Sequence, residues 1–335
     1  MSSDFENFEF GADVFAALNS AEKVEVLIAE SPKKELTEEE KAVILERYAT
    51  RFGIFQNDFS KLLFRPHAIH HLMGGLPKPL TDNQKETLAA LEKKYALGKI
   101  TDKQLETMVE LRKKRDAKPI LSTGAIKYLK ELYKEKVFQR TKELKSKYLD
   151  KGLSVESESI RMVNEVFGTN YEKNEVRFEN DYLTGEPDII DKDEVIDIKS
   201  SWDFTTFPLL DDEVENQAYY YQLQCYMDLL GFDKAKLVYV LADTPDTIIQ
   251  NERYKVSMEL GLINSDYTYD LPEDLDFEIE RNLIYDDIPK QARIIVFPVE
   301  RNQKVIDQIH HQIKLAREYL TTLDKSMDKR FNSHL

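Results

Sequence analysis

Between Thr81 and Lys118 apolar residues recur three and four positions apart: Leu88, Leu91 and Tyr95, then Leu105, Met108, Val109 and Leu111. That period belongs to helices with one apolar face. Gly98 breaks the run and Thr101 caps a second arm, so the pattern predicts a narrow, highly charged helical hairpin. Ser122 or Thr123 then caps a long basic helix, Ala125 to Asp150. Upstream the pattern is weaker. Phe5, Phe8, Phe10 and Phe15 follow no clear period. Thr37-Glu38-Glu39-Glu40 opens a helix as a capping box, continued by Ala42, Val43, Leu45 and Tyr48 and ended at Gly53. Phe64-Arg65-Pro66-His67 leads into a short helical piece that stops at Gly74-Gly75.

After Asp150 the pattern changes. A helix begins near Ser154, and Asn174 to Phe178 reads as a strand, followed by a strand pair around Asp188 and Asp197. Asp211 to Leu230 is a helix ended by Gly231, and Ala235 to Ala242 and Arg293 to Val299 are strands. Gln303 to Leu323 is an amphipathic helix with Ile306, Ile309, Ile313 and Leu320 inward. The expected fold class is α/β (α+β), a central mixed sheet flanked by helices, with a helical N-terminal region. The expected divisions are 1–80, helical and open to an end- or partner-binding role; 81–120, the charged hairpin; and 121–335, the core with its C-terminal helix.

Composition narrows the class. With 335 residues and 41% hydrophobic content, the chain can bury one large or two modest cores. No run approaches the roughly 18 apolar residues of a membrane helix. Met1-Ser2-Ser3-Asp4-Phe5-Glu6 lacks the basic and apolar regions of a signal peptide. The single cysteine, Cys225, rules out an internal disulfide framework, and a reducing cytoplasm is the expected compartment. Net charge is −15. Local clusters, not the total, set the field at a groove. Basic residues crowd Arg112 to Arg115 and Lys134 to Lys151, while acids crowd Asp266 to Asp287. Each basic stretch reads either as a DNA approach or as a solvated helix face.

The densest chemistry lies in Gly185-Glu186-Pro187-Asp188 and Glu194-Val195-Ile196-Asp197-Ile198-Lys199-Ser200-Ser201. Side chains alternate along a strand. Asp197 and Lys199 therefore leave one face while Ile196 and Ile198 leave the other. Asp197 between two isoleucines is costly unless paired or metal-bound. A salt bridge with Lys199 is the plainer alternative, as an Asx-turn is for Asp188. Two acids and an amine at one point suit metal-assisted phosphodiester hydrolysis: the carboxylates hold Mg²⁺, and the lysine orients water or offsets phosphate charge. Gln222 and Tyr226, four apart, share one helix face. Trp202 and Phe204 read as core or as base-stacking groups. The spacing of Arg65, His67, His70 and His71 fits no metal-ligand pattern, and His310 and His311 read as structural or exposed.

These strings resemble the PD-(D/E)xK nuclease superfamily. Asp197 takes the variable acidic position, Gly152 to Glu156 matches a G-x-x-x-E motif, and Gln222 to Tyr226 matches the Q-x-x-x-Y motif of RecB-like nucleases. From about Leu121 to Leu241 the text resembles phage-encoded exonucleases of the lambda-exonuclease and YqaJ type, more weakly so to Leu323. The resemblance implies Asp188, Asp197 and Glu156 as metal ligands, with the Ile198 carbonyl completing the shell. Glu158 and Glu165 compete with Glu156 for that role. It implies Lys199, Gln222 and Tyr226 as catalytic groups, Mg²⁺ with Mn²⁺ as a substitute, and duplex DNA with a free end as substrate. Arg65 stands where relatives contact a DNA end, although His67 replaces their usual serine. Arg140, Lys147 and Lys151 are the expected DNA-binding residues. Iron–sulfur relatives use four cysteines, so that cofactor is not expected. The implied activity is a 5′→3′ duplex exonuclease in phage-type recombination or DNA processing. A structure-specific or nicking endonuclease and a non-cleaving DNA-binding module are the alternatives. A single-strand annealing protein and a second copy of the chain are the partners such a role suggests.

Overall fold

The structure, a computed structural model, describes residue 37 and residues 58–141 and 147–333. The helix expected from Thr37 and the early phenylalanines lie outside those residues. The chain divides into two compact units. One takes its described residues from Met1–Leu62, His71–Lys142 and Gln308–Leu335, the other from Leu63–His70 and Glu143–Asp307.

The first unit contains the hairpin, α1 (Asp82–Ala96) and α2 (Asp102–Arg115). Both arms open with reciprocal capping boxes, Thr81 with Gln84 and Thr101 with Gln104. Leu80, Leu88, Leu91 and Met108 form the seam. Tyr95 and Val109, expected on the apolar face, are exposed instead. Two helices alone bury only a narrow stripe, and Tyr95 lies outside it beneath the Arg112 guanidinium, 5.9 Å from its ring centre. The basic cluster is committed within the hairpin: Arg112 and Arg115 reach the same Glu92 oxygen at 2.8 and 3.2 Å, and Lys114 bonds Gln84 at 2.7 Å.

Next comes α3 (Thr123–Phe138), capped by Ser122. The expected single helix to Asp150 does not form. Gln139 turns left-handed at φ 49° and closes α3, and a separate helix, α4 (Lys147–Phe167), follows. Gly152 therefore sits inside α4 rather than at its start. A side chain there would meet nothing within 4 Å, so no close approach explains the glycine.

The second unit holds α4, β1 (Phe178–Glu179), β2 (Thr184–Gly185), β3 (Ile189–Asp191), β4 (Glu194–Ser200), α5 (Gln217–Leu230), β5 (Lys234–Val240), α6 (Asp246–Glu259), α7 (Glu273–Leu283) and β6 (Ile294–Glu300). The final helix, α8 (Gln303–Ser333), buries Ile306, Ile309, Ile313 and Leu320. The main sheet runs β3-β4-β5-β6, with β4 and β5 parallel and both outer pairings antiparallel. Its two faces follow from alternation. Ile196 and Ile198 of β4 join Val238 and Val240 of β5 against Val155, Ile160 and Val163 of α4. Val195 joins Leu237 and Phe297 against Leu223, Tyr226 and Met227 of α5. Each buried isoleucine contributes about 1.5–3 kcal/mol, and a one-residue slip would put Asp197 and Lys199 into the α4 face instead. The fold is α+β with a mixed sheet flanked by helices.

Three boundaries differ from the sequence pattern. Asn174 to Val176 forms no strand, and only Phe178–Glu179 does, with Thr184–Gly185. α5 starts at Gln217 rather than Asp211, because the Asn216 side chain accepts from the Ala218 N–H and caps it there. α6 and α7 are inserted between β5 and β6, where the sequence pattern marks only a crowd of acids.

Candidate active site

Asp188 ends the turn after Pro187, just before β3, and faces β4 across the antiparallel pair that starts at Ile189 and Ile196. Its Oδ2 accepts from the Ile198 N–H at 3.0 Å. Asp197, on the α5 face of β4, is only 1% exposed. Lys199 Nζ lies 2.7 Å from Asp197 Oδ2. The two form a close, largely buried ion pair. The lysine ammonium also sits 5.1 Å from the centre of the Tyr219 ring.

α5 reaches the site through its shared face. Gln222 Nε2 donates to Asp197 Oδ1 at 3.1 Å and lies 3.3 Å from the Tyr226 hydroxyl. That hydroxyl donates to the Glu186 carbonyl at 3.1 Å. One amide and one phenol thus tie β4, α5 and the Glu186-Pro187 turn together. Gln224, on another face, pins the end of β6 through the Glu300 carbonyl and the Asn302 N–H. Ser159 of α4 and Ser200 at the end of β4 are hydroxyl to hydroxyl at 2.9 Å.

Electrostatics follow from this crowding. Burial, and then the neighbouring Asp197 charge, push the Asp188 carboxyl up to about 7. Burial works against the Lys199 ammonium, but Asp197 and Asp188 outweigh it and hold its pKa above the ordinary lysine value. Burial and then Asp197 push the Tyr226 phenol above its usual range, so it remains a donor. Lys199 is therefore an ammonium at neutral pH.

Glu156 stands at the same rim, adding its charge to the field on Asp188. Its own Oε2, however, is held by Lys173 Nζ at 2.5 Å. Among the described residues no group of three or more His, Cys, Asp or Glu side chains is arranged to hold a metal ion. The remaining donors still fit one hard cation: two carboxylates forced together in a poorly hydrated place, with oxygen ligands only. Mg²⁺ commonly uses one or two carboxylates and keeps waters for the rest.

Of the competing acids, Glu158 pairs with Arg161 at 2.5 Å and Glu165 with Lys290 at 2.6 Å, both away from this cluster. Arg65 is exposed, and its neighbour Pro66 is buried. Phe64 makes a parallel bridge to Leu183, which carries this segment alongside β2. Gly185 lets it come close: a Cβ there would lie 2.8 Å from Pro66 Cγ and 3.1 Å from Tyr226 Cε1. Arg65 is thus one residue from a contact with the Gly185–Asp188 string. Among the described residues the histidines offer no ligand cluster; His70 Nδ1 lies 2.9 Å from the His67 carbonyl.

Lys151 departs from its expected place in a DNA groove. It is 1% exposed, donates to the Trp202 carbonyl at 2.7 Å, and lies between the Trp202 and Tyr285 rings. Burial lowers its pKa to about 8. Trp202 is core, packed with Ile248, Ile249 and Leu283, whereas Phe204 is exposed. Arg140 is exposed, and the side chain of Lys147 is outside the described set. The sequence reading missed Lys173 and Arg177, which line the rim. Arg177 pairs with Glu186 at 2.7 Å.

No helix of the described residues is long and apolar enough to cross a membrane. No protein-family model matches the chain, and no curated protein matches it. Solved structures do. A phage-related exonuclease from Haemophilus somnus 129PT shares 25% identity, with a TM-score of 0.54 over 81% of this chain and 99% of that one. An alkaline exonuclease from Laribacter hongkongensis shares 12% identity over 64% of this chain and 88% of that one, with a TM-score of 0.45. The same enzyme in complex with dAMP gives 0.43. In fold the chain is similar to a phage-related exonuclease, in keeping with the resemblance of its motifs to the PD-(D/E)xK nuclease superfamily.

Proposed function

We propose that this protein is a metal-dependent nuclease that hydrolyses DNA phosphodiester bonds as a 5′→3′ exonuclease on duplex ends. The observation that carries the reading is the convergence of Asp188, Asp197 and Lys199 beneath Gln222 and Tyr226. The likeness to the phage-related exonuclease supports it. Asp188, Asp197 and the Ile198 carbonyl would hold Mg²⁺, or Mn²⁺ in its place, with Glu156 joining once it leaves Lys173. A bound ion of this kind polarises the phosphoryl oxygen and makes water a stronger nucleophile.

The chain's own groups do the positioning. Lys199, charged and fixed against Asp197, orients the attacking water and offsets charge on the phosphate. Gln222 holds the Asp197 carboxylate in one orientation, and Tyr226 holds Gln222. Arg65 offers a planar fork to a terminal 5′-phosphate. Arg140 and Lys147 lie on the basic approach; buried Lys151 is withdrawn from that role. A cytoplasmic setting, an annealing partner and a second copy of the chain are consistent with such work.

Digestion of 5′-labelled linear, 3′-labelled linear and closed circular duplex in Mg²⁺ tests polarity. The 5′ label should leave first from linear DNA, and circles should persist. Efficient cutting of circles would instead assign the same site to an endonuclease. Arg65→Ala should erase most of a preference for 5′-phosphorylated over 5′-hydroxyl ends. Equal wild-type rates on both ends would remove Arg65 from an end pocket.

A further inference from the structure

The segment between α4 and β1 has no regular structure, yet it is clamped to the site. The Asn174 N–H donates to the Asp188 carbonyl at 2.7 Å. Asn174 Nδ2 donates to the Pro187 carbonyl at 3.0 Å and to the Val176 carbonyl at 2.8 Å. This double hold on Pro187-Asp188 fixes where Lys173, the preceding residue, can reach. The lysine reaches Glu156, at 2.5 Å, and remains half exposed while Glu156 is 21% exposed. The third carboxylate of the cluster is thereby engaged by an ammonium, and no three-carboxylate group forms among the described residues.

We propose that Lys173 and a divalent cation compete for Glu156, so that cation binding is coupled to the arrival of a phosphate. The inference rests on the nuclease reading above. A cation bound by Asp188 and Asp197 gains a third carboxylate only if Glu156 leaves Lys173. An isolated lysine loses its partner by that exchange. A phosphate at the site gives the ammonium another anion, on the solvent-facing side where it is already exposed. Phosphate and cation then favour each other, and the coupling must be reciprocal. Lys173 is a positioning residue in this account: it acts on Glu156, not on the scissile bond.

Calorimetric titration of Mg²⁺ into the full chain without DNA tests this, with and without dAMP as the phosphate probe. Lys173→Gln should tighten Mg²⁺ roughly five- to tenfold in the absence of dAMP, the low end of ordinary coupling between sites. The gain should vanish when Glu156→Gln is already present, which separates competition from a general loss of positive charge. Tightening of Mg²⁺ by dAMP should be smaller in Lys173→Gln than in wild type. Unchanged or weaker Mg²⁺ binding by Lys173→Gln, the same gain in the Glu156→Gln background, or undiminished coupling to dAMP would each overturn the proposal alone. Wild-type protein that binds no Mg²⁺ sensitive to Asp197→Asn would overturn the metal reading with it.

Discussion

Burying Asp188 beside Asp197 carries a measurable cost. The folded-state pKa of Asp188 is raised, to about 7 from 3.8, so the folded protein binds more protons than the unfolded one between those values. Stability contributed by protonated Asp188 is then fully present below about pH 4 and is lost as pH rises through 7. Thermal melts without divalent cation should show Tm falling from pH 5 to pH 8, with Asp188→Asn flattening the fall. A slope that Asp188→Asn leaves unchanged would contradict this origin. Lys199 is the second lever. It neutralises an aspartate that is 1% exposed, so Lys199→Met leaves a buried charge without a partner. The cation-free variant should lose roughly 3 kcal/mol at neutral pH, less at pH 5 where Asp188 is protonated and no longer repels Asp197. Urea unfolding at the two pH values measures the difference. Asp197→Asn should abolish Mg²⁺ binding and hydrolysis together, since an amide is a poor ligand for a hard cation; calorimetry with unchanged affinity would count against a metal role.

At the scale of elements, the site depends on how closely Pro66, β2 and α5 approach. Gly185→Ala would force a shift of Pro66 or Tyr226, since the added carbon would lie 2.8 Å from one and 3.1 Å from the other. A loss of about 1–3 kcal/mol is expected from such overpacking, with a drop in hydrolysis out of proportion to unfolding at the assay temperature. Wild-type melting and activity would mean that the segments move apart freely. The sequence made much of this geometry legible. Alternation in β4 assigned Asp197 and Lys199 to one face, and the four-residue spacing put Gln222 and Tyr226 together on α5. These are local patterns with fixed periods. Tertiary relations were not legible. Gly152 resembled a helix start because its motif marks one in relatives, yet α4 begins earlier. Lys151 sits in a basic run, and nothing local says that Trp202 and Tyr285, distant in sequence, enclose it. Lys173 gives no local signal because its partner Glu156 lies 17 residues earlier, inside α4.

For the whole molecule, the proposed function requires a net charge of −15 to coexist with DNA binding. The acids are segregated: α7 alone carries Glu273, Asp274, Asp276, Glu278 and Glu280. On the proposed function, local cations such as exposed Arg140 matter more than the total charge. DNA affinity should fall steeply with salt. Neutralising Arg140 and Lys147 together should flatten the log K against log salt slope by up to about 1.8, at roughly 0.9 per lost contact. Lys151→Ala should leave that slope unchanged and lower Tm, because its amine is buried on the Trp202 carbonyl. An unchanged slope for the first pair would reduce the stretch to a solvated face. The central claim is that Asp188, Asp197 and Lys199 form a hydrolytic site. The most direct measurement follows digestion of linear duplex DNA in saturating Mg²⁺ by wild-type protein and by Lys199→Ala, each shown to be folded and to bind Mg²⁺. The account predicts steady release of nucleotides by wild type and a rate at least about a hundredfold lower for the variant, the range of a lost positioning or acid–base group. Digestion by folded Lys199→Ala at close to the wild-type rate would contradict it.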